Sequence, residues 1–233
     1  MIFDPPLIQG KLIRRYKRFL ADIELDNGEI VIAHCPNSGR MTGCADPGST
    51  VFVAPAANPK RKLKFTWELT KLADDNWVGI NTMRTNRIVE EALIQKKVPE
   101  LVDNITLQRE VKYGEKSRID FLITMADGAK KYVEVKNVSL VEDGIAKFPD
   151  AVTTRGQKHL QELMTVVEAG HGGTMLFLVN RQDATNFQAA VQIDPRYAEL
   201  LSEAKNTGVE VLVYQTMADN QSISLGKSLS FNI

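Results

Sequence analysis

Two apolar, β-branched stretches separated by Asp127-Gly128 constrain this chain most. An Asp-Gly pair suits the positive backbone angles of a tight turn, so residues 117–123 and 131–138 are expected to pair as antiparallel strands. In Lys131-Tyr132-Val133-Glu134-Val135-Lys136-Asn137-Val138, side chains alternate between the two faces. Val133 and Val135 therefore point one way and Glu134 and Lys136 the other. The partner strand is Ser117-Arg118-Ile119-Asp120-Phe121-Leu122-Ile123, and the pairing carries Asp120 toward Glu134. A carboxylate and an ammonium buried together on such a strand are costly without a partner or a task.

Metal-assisted phosphodiester chemistry uses these residue types. Two carboxylates hold a hard divalent cation, Mg²⁺ or Mn²⁺, through oxygen and leave its other positions to water and a phosphate oxygen. Lys136 is suited to orient that water or offset charge developing on phosphorus. Asp120, Glu134 and Lys136 are thus the candidate catalytic set, with Asp120 and Glu134 as metal ligands. At open spacing an Asp followed by acid-x-Lys arises by chance about once per chain, so the hairpin context carries the argument. The plain alternative is a solvated hairpin face with a cross-strand ion pair.

Two further segments, His34-Cys35-Pro36-Asn37-Ser38-Gly39-Arg40-Met41 and Thr85-Asn86-Arg87-Ile88-Val89-Glu90-Glu91-Ala92-Leu93, join Arg118-Ile119-Asp120-Phe121 and Val133-Glu134-Val135-Lys136-Asn137-Val138 of the hairpin. On these, the chain resembles the sugar fermentation stimulation protein A family of bacteria and archaea over essentially its whole length. The resemblance implies an OB-like β-barrel over residues 1–82, followed over residues 83–233 by a restriction-endonuclease-like α/β domain of PD-(D/E)XK type with a mixed central sheet. It also implies DNA binding and a regulatory role in sugar (maltose) metabolism, with nuclease activity inferred from the fold.

The residues themselves agree with a β-rich first part. Residues 19–25 and 29–35 alternate around Asp26-Asn27-Gly28, a hairpin signal, and residues 49–54, 63–72 and 77–81 read as three more strands. Five short strands fit a small closed barrel of the kind that binds oligonucleotides on one face. The loop Pro36-Asn37-Ser38-Gly39-Arg40-Met41-Thr42-Gly43 suits a phosphate: glycines let backbone N–H groups converge, Asn37 and Ser38 donate, and Arg40 grips bidentately. An ordinary barrel connection explains the same loop. His34, closing an apolar strand, reads as a core or capped histidine rather than a ligand.

Formal net charge is zero, which argues against an indiscriminate polyanion binder and makes the distribution of charge decisive. Lys11, Arg14, Arg15, Lys17 and Arg18 form one cluster, and Lys60, Arg61, Lys62 and Lys64 another, interleaved with Tyr16, Phe19, Phe65 and Trp67. Basic residues among aromatics suit a surface that tracks a nucleic-acid backbone and stacks bases. Arg14, Arg15 and Arg18 are accordingly candidate DNA contacts, with weak sequence preference expected because no helix-turn-helix signal appears. Two solvated loops are the bland alternative.

Beyond the barrel, a helix is expected from Thr85 or Asn86, as cap, to Pro99, burying Ile88, Val89, Ala92 and Leu93. The resembled nucleases complete the metal shell with a helical acid ahead of the sheet, a role for which Glu90 is the candidate here with Glu91 beside it; an exposed helix glutamate is the plain alternative. Residues 139–150 lack periodicity and read as a mobile loop over the site. A helix capped by Thr153 or Thr154 then runs to Glu168, offering Arg155, Gln157 and Lys158 to phosphates. A strand at residues 174–179, a helix at 195–206 and a strand at 209–214 complete an α/β sheet.

At 43% hydrophobic residues, 233 positions supply one large core or two modest ones. No apolar run is long enough to span a bilayer, and the first residues lack a signal peptide's basic and apolar regions, so a cytoplasmic protein without a membrane partner is expected. Cys35 and Cys44 lack four-ligand spacing and are expected as reduced thiols. A small-molecule or sugar-phosphate enzyme using the same carboxylates remains the alternative to a nucleic-acid function.

Overall fold

The computed structural model describes residues 1–114 and 117–233. Its first strands are β1 (Ile8–Tyr16), β2 (Leu20–Leu25), β3 (Ile30–His34), β4 (Thr50–Pro55), β5 (Phe65–Lys71) and β6 (Trp77–Gly79). The Asp26-Asn27-Gly28 turn joins β2 to β3, with Gly28 at φ +84°. The β2–β3 register sets Ile23 opposite Val31, which sends both into the interior. β1 pairs with β2 and β4, while β3 meets β5 in parallel at Ala33 and Phe65, closing a five-stranded OB-like barrel over Leu12, Ile23, Val51 and Trp67. Cys35 and Cys44 are buried free thiols in that core.

The barrel has the expected number of strands but a different membership. The fifth strand is β1, not residues 77–81, and β6 instead extends the sheet beyond β5. A bulge between Leu12 and Arg14 breaks the alternation of β1, and its basic residues disguise it as a charged cluster.

The turn Thr82–Arg84 leads into α1 (Thr85–Ile94), β7 (Asn104–Tyr113), β8 (Ser117–Met125), β9 (Lys130–Val138), β10 (Leu140–Glu142) and β11 (Ile145–Phe148). Then follow α2 (Thr154–Glu168), β12 (Gly172–Val179), β13 (Asn186–Ala189), α3 (Pro195–Thr207), β14 (Glu210–Ala218), β15 (Ile223–Ser228) and β16 (Ser230–Asn232). The main sheet has the order β15-β14-β12-β9-β8-β7, and β10-β11-β13-β16 form a smaller one. Parallel β9, β12 and β14 lie in the middle of the main sheet, flanked by antiparallel strands. This is an α/β domain with mixed sheets. α1 packs Ile88, Val89 and Leu93 against Val133, Val135 and Leu176 on one face. α2 and α3 pack Leu160, Leu163 and Leu201 against Met175 and Phe177 on the other.

Local chemistry sets the helix ends. Thr153 Oγ1 accepts from the Gly156 N–H at 3.0 Å and starts α2. Asp194 caps α3, whose first residue is Pro195. Neither Thr85 nor Asn86 caps α1; their side chains donate instead to Asn137 and Asp120. Residues 139–150 are no structureless loop, because Asp143 and Gly144, at φ +51° and +75°, turn β10 back onto β11.

The barrel and the α/β part share a hydrogen-bonded seam. On its free edge β6 meets residues 180–182: the Gly79 N–H donates to the Asn180 carbonyl at 2.8 Å, and the Gln182 N–H to that of Trp77 at 3.2 Å. Buried Arg181 pairs with Asp183 and donates to the carbonyls of Thr42, in the barrel, and Ser139. Phe3, ahead of the barrel, packs into the core under α1. Among the described residues no helix is long and apolar enough to cross a membrane.

Candidate functional site

β8 and β9 turn at Asp127-Gly128, with Gly128 at φ +86°, and pair from Thr124–Lys130 to Phe121–Val133. Beyond that ladder the Val135 N–H is met by a side chain: Asp120 Oδ2 accepts it at 2.7 Å. Asp120 Oδ1 accepts from Asn86 Nδ2 on α1, also at 2.7 Å. The sheet and the helix thus fix Asp120 from two sides.

Glu134 is 3% exposed, so a solvated hairpin face is excluded. Its Oε1 accepts from Lys136 Nζ at 2.7 Å and lies against His159 Nδ1 of α2. Arg155 Nε lies 3.3 Å from His159 Nε2 and Lys136 Nζ 3.0 Å from its Nδ1, so the ring sits among two cations and the Glu134 carboxylate. Glu134 Oε2 is buried without a hydrogen-bond partner. Burial, and then the charge of Glu134, push the Asp120 carboxyl above its ordinary value, against the lowering effect of the Val135 and Asn86 bonds. Burial pushes Glu134 up as well, but the His159 bond and the Lys136 charge outweigh it and hold the carboxyl below 4.5.

This donor set fits one hard divalent cation. Glu134 offers an unpartnered oxygen, and each Asp120 oxygen keeps a second lone pair. Among the described residues no group of three or more His, Cys, Asp or Glu side chains is poised for a metal. Water and substrate oxygens would complete the shell.

The pair opens into a cleft of about 810 Å³ between barrel and α/β domain. The barrel contributes Arg18, Asn37, Ser38 and Arg40, the end of β11 contributes Lys147 and Asp150, and α2 contributes Arg155 and His159. Asn37 is buried, its Oδ1 accepting from the Gly39 N–H at 2.9 Å. The Arg40 N–H donates to Asp150 Oδ2 at 3.1 Å, tying the barrel loop to the rim of the sheet. Ser38 and Arg40 are exposed at the mouth. With Lys147 paired to Glu142, Arg18, Arg40, Lys136 and Arg155 still outnumber Asp120, Glu134 and Asp150, so the cleft suits a polyanion.

Other expected contacts lie elsewhere. Glu90 pairs with Arg109 of β7 at 2.9 Å and lines a separate hollow; Asn86, one turn earlier on α1, is the residue that reaches Asp120. Arg14 pairs with Asp22 at 2.7 Å and lies over the Tyr16 ring, outside the cleft. Arg15 donates to the carbonyls of Arg18, Asn37 and Gly39, which makes it a brace of the loop. Gln157 holds the α3 cap through Asp194 at 2.9 Å. Lys158 faces Glu162 at 3.4 Å instead of the cleft. His159 and Asp150 are site residues that no sequence motif marked, while Asn86, expected only as a possible helix cap, reaches Asp120 instead. For His159 the signal was its place four residues after Arg155, hence on the same helix face.

Comparisons with known proteins match both parts. The profile described as "Sugar fermentation stimulation protein RE domain" matches residues 83–222, and that described as "SfsA N-terminal OB domain" matches residues 13–80. A "Sugar fermentation stimulation protein homolog" of Geotalea uraniireducens is 54% identical, covering 97% of this chain and 96% of its own length. The homolog of Pseudoalteromonas atlantica is 49% identical, covering 98% of each chain. Among solved structures, Pyrococcus furiosus SfsA in complex with Ca²⁺ superposes with a TM-score of 0.89 at 27% identity, covering 100% of this chain and 98% of that one.

Proposed function

The chain belongs to the sugar fermentation stimulation protein family, and from that premise we propose that it is a cytoplasmic DNA-binding protein whose cleft cleaves phosphodiesters with Mg²⁺ or Mn²⁺. One observation carries the reading: a buried, unpartnered carboxylate oxygen, Glu134 Oε2, beside Asp120 in a cleft of basic surplus. Asp120 and Glu134 would hold the cation, and a bound cation supplies Lewis-acid polarisation of a phosphoryl oxygen and acidifies water. Arg18, Ser38 and Arg40 receive the strand at the mouth, and Arg155 receives it from α2. Lys136, fixed by Glu134, presents an ammonium to the attacking water and to charge developing on phosphorus. His159 keeps Glu134 in place. The Ca²⁺ complex of the Pyrococcus relative supports a divalent-cation reading. The regulatory role in maltose metabolism implied by the family resemblance would act through the same DNA contact, with little sequence preference.

The test pairs calorimetric titration of Mn²⁺ and Mg²⁺ with cleavage assays on single-stranded, branched and duplex DNA. Wild type is expected to bind metal and cleave, and Glu134→Ala to do neither; equal metal binding by both removes the site. A second reading, binding without turnover, draws on the engagement of Glu134 Oε1 by Lys136 and His159. Metal-dependent cleavage by wild type that is lost in Lys136→Met excludes it.

A further inference from the structure

The turn between barrel and α1 divides two basic hollows. Thr82 lines the cleft that holds Asp120 and Glu134, whereas Asn81, Met83 and Arg84 line a second hollow of about 440 Å³. Arg61 and His34 of the barrel and Arg87 of α1 form its other walls. Glu68 is the one carboxylate among its described lining residues, and it is 2% exposed. Arg84 Nε and Nη2 grip it at 2.6 and 2.8 Å, and Asn81 Nδ2 donates to both its oxygens. Its charge is therefore matched at the floor, and Arg61 and Arg87 leave the hollow positive.

Met83 follows Thr82 on the turn between the hollows and lines the second one. The residue is 77% exposed, while its backbone is fixed. Asn81 Oδ1 accepts the Met83 N–H at 3.1 Å, and Thr82 Oγ1 donates to the Pro36 carbonyl at 2.8 Å. A lone exposed apolar side chain is ordinary on a protein surface. An apolar, polarisable one on a braced turn between two basic channels has the attributes of the wedges that unstack base pairs.

We infer that Met83 is a strand-separating wedge and that the substrate is branched DNA, with one single strand in the Asp120–Glu134 cleft and the other led away along the Arg61–Arg87 hollow. This rests on the DNA-binding reading above and adds the shape of the substrate to it.

The test uses the full chain and three labelled DNAs of shared sequence: a single strand, a blunt duplex and a fork with two unpaired arms. Anisotropy titrations run across a salt series without divalent metal. The fork is expected to bind on the order of tenfold more tightly than the single strand, with a log–log salt slope steeper by roughly 1.4, or about 0.7 for each of two added phosphates. Arg61→Ala with Arg87→Ala is expected to erase that excess and leave single-strand affinity within about twofold. 2-Aminopurine at the junction is expected to brighten when wild type binds and to stay dim with Met83→Ser. Equal wild-type affinity for fork and single strand overturns the inference and leaves DNA binding standing, whereas binding to none of the three overturns both. Equal brightening with Met83→Ser removes the wedge. The fork preference is read on wild type, so a misfolded variant cannot mask the outcome.

Discussion

Replacing Glu134 by Gln should cost the fold far more than a surface charge change, and replacing Lys136 by Met in the same chain should recover much of the loss. The two side chains are 4% and 13% exposed and 2.7 Å apart. At an effective dielectric of about 20, their Coulomb attraction is roughly 6 kcal/mol, most of it offset by desolvation of both charges. Removing the carboxylate alone leaves that desolvation uncompensated on the ammonium, a cost of about 3 kcal/mol at the lower end of the buried-pair range, because Lys136 keeps some exposure. In a chain of this size that lowers Tm by roughly 6–12 °C. The double variant buries no unpaired charge, so the two single costs should exceed the double cost by about 2–3 kcal/mol. Urea unfolding of all four proteins in chelator, at neutral and acid pH, gives the coupling. The folded-state carboxyl of Glu134 lies below its ordinary value of 4.5, so its stabilisation is complete above that value and is lost as pH falls through the folded value. The coupling should therefore be full at pH 7 and fade under acid. Additive single costs at pH 7 would show that Lys136 is not the charge partner of Glu134.

Asp120→Asn should raise the Tm of the metal-free protein at pH 7, with the new Oδ1 accepting the Val135 N–H and the Asn86 amide turning to accept from the new Nδ2. The raised carboxyl of Asp120 penalises the fold above its folded value, so the gain shrinks toward acid, and the Mn²⁺-dependent rise in Tm disappears; a lower Tm at pH 7 refutes the sign. Replacing Arg18 and Arg40 together should make the salt slope for single-stranded DNA shallower by about 1.4, and an unchanged slope in a folded protein removes them from the interface. Arg15→Ala, which loses bonds to three carbonyls, should instead show as a lower Tm. A Cβ at Gly39 would collide with the Asp150 carboxylate, so Gly39→Ala should break its bond to Arg40, costing about 1–2 kcal/mol in urea unfolding. Unaltered stability and DNA affinity would show that the loop closes without that bond.

Short-range signals carried most of the fold. Asp26-Asn27-Gly28 and Asp127-Gly128 turn where their positive-φ glycines require, and α1, α2 and α3 follow the 3.6-residue spacing of their buried faces. Signals failed where a strand was short or irregular. β10 and β11 have three and four residues, too few to display a period of two. β1 loses its alternation at the bulge. The acid pair was legible because both residues sit on one hairpin. Asn86 and His159 come from helices on opposite faces of the sheet, and no linear spacing joins them to Glu134. Arg15 and Gln157 have the side chains of phosphate binders, and only their carbonyl and carboxylate partners assign them to bracing.

The seam at β6 alters how affinity accumulates. Two binding surfaces on a flexible tether meet a strand separately, the second contact being helped only by an effective concentration in the millimolar range. Here β6 is bonded to β5 on one edge and to residues 180–182 on the other, so no slack separates Arg40 from Glu134. Under the proposed function, a strand oriented by the barrel would already be oriented for the acid pair, and the second set of contacts would add without a second loss of rotational freedom. The seam also makes the two halves one structural unit. Cutting the barrel away would strip residues 180–182 of their pairing strand and lay bare the buried guanidinium of Arg181, so the halves are not interchangeable modules.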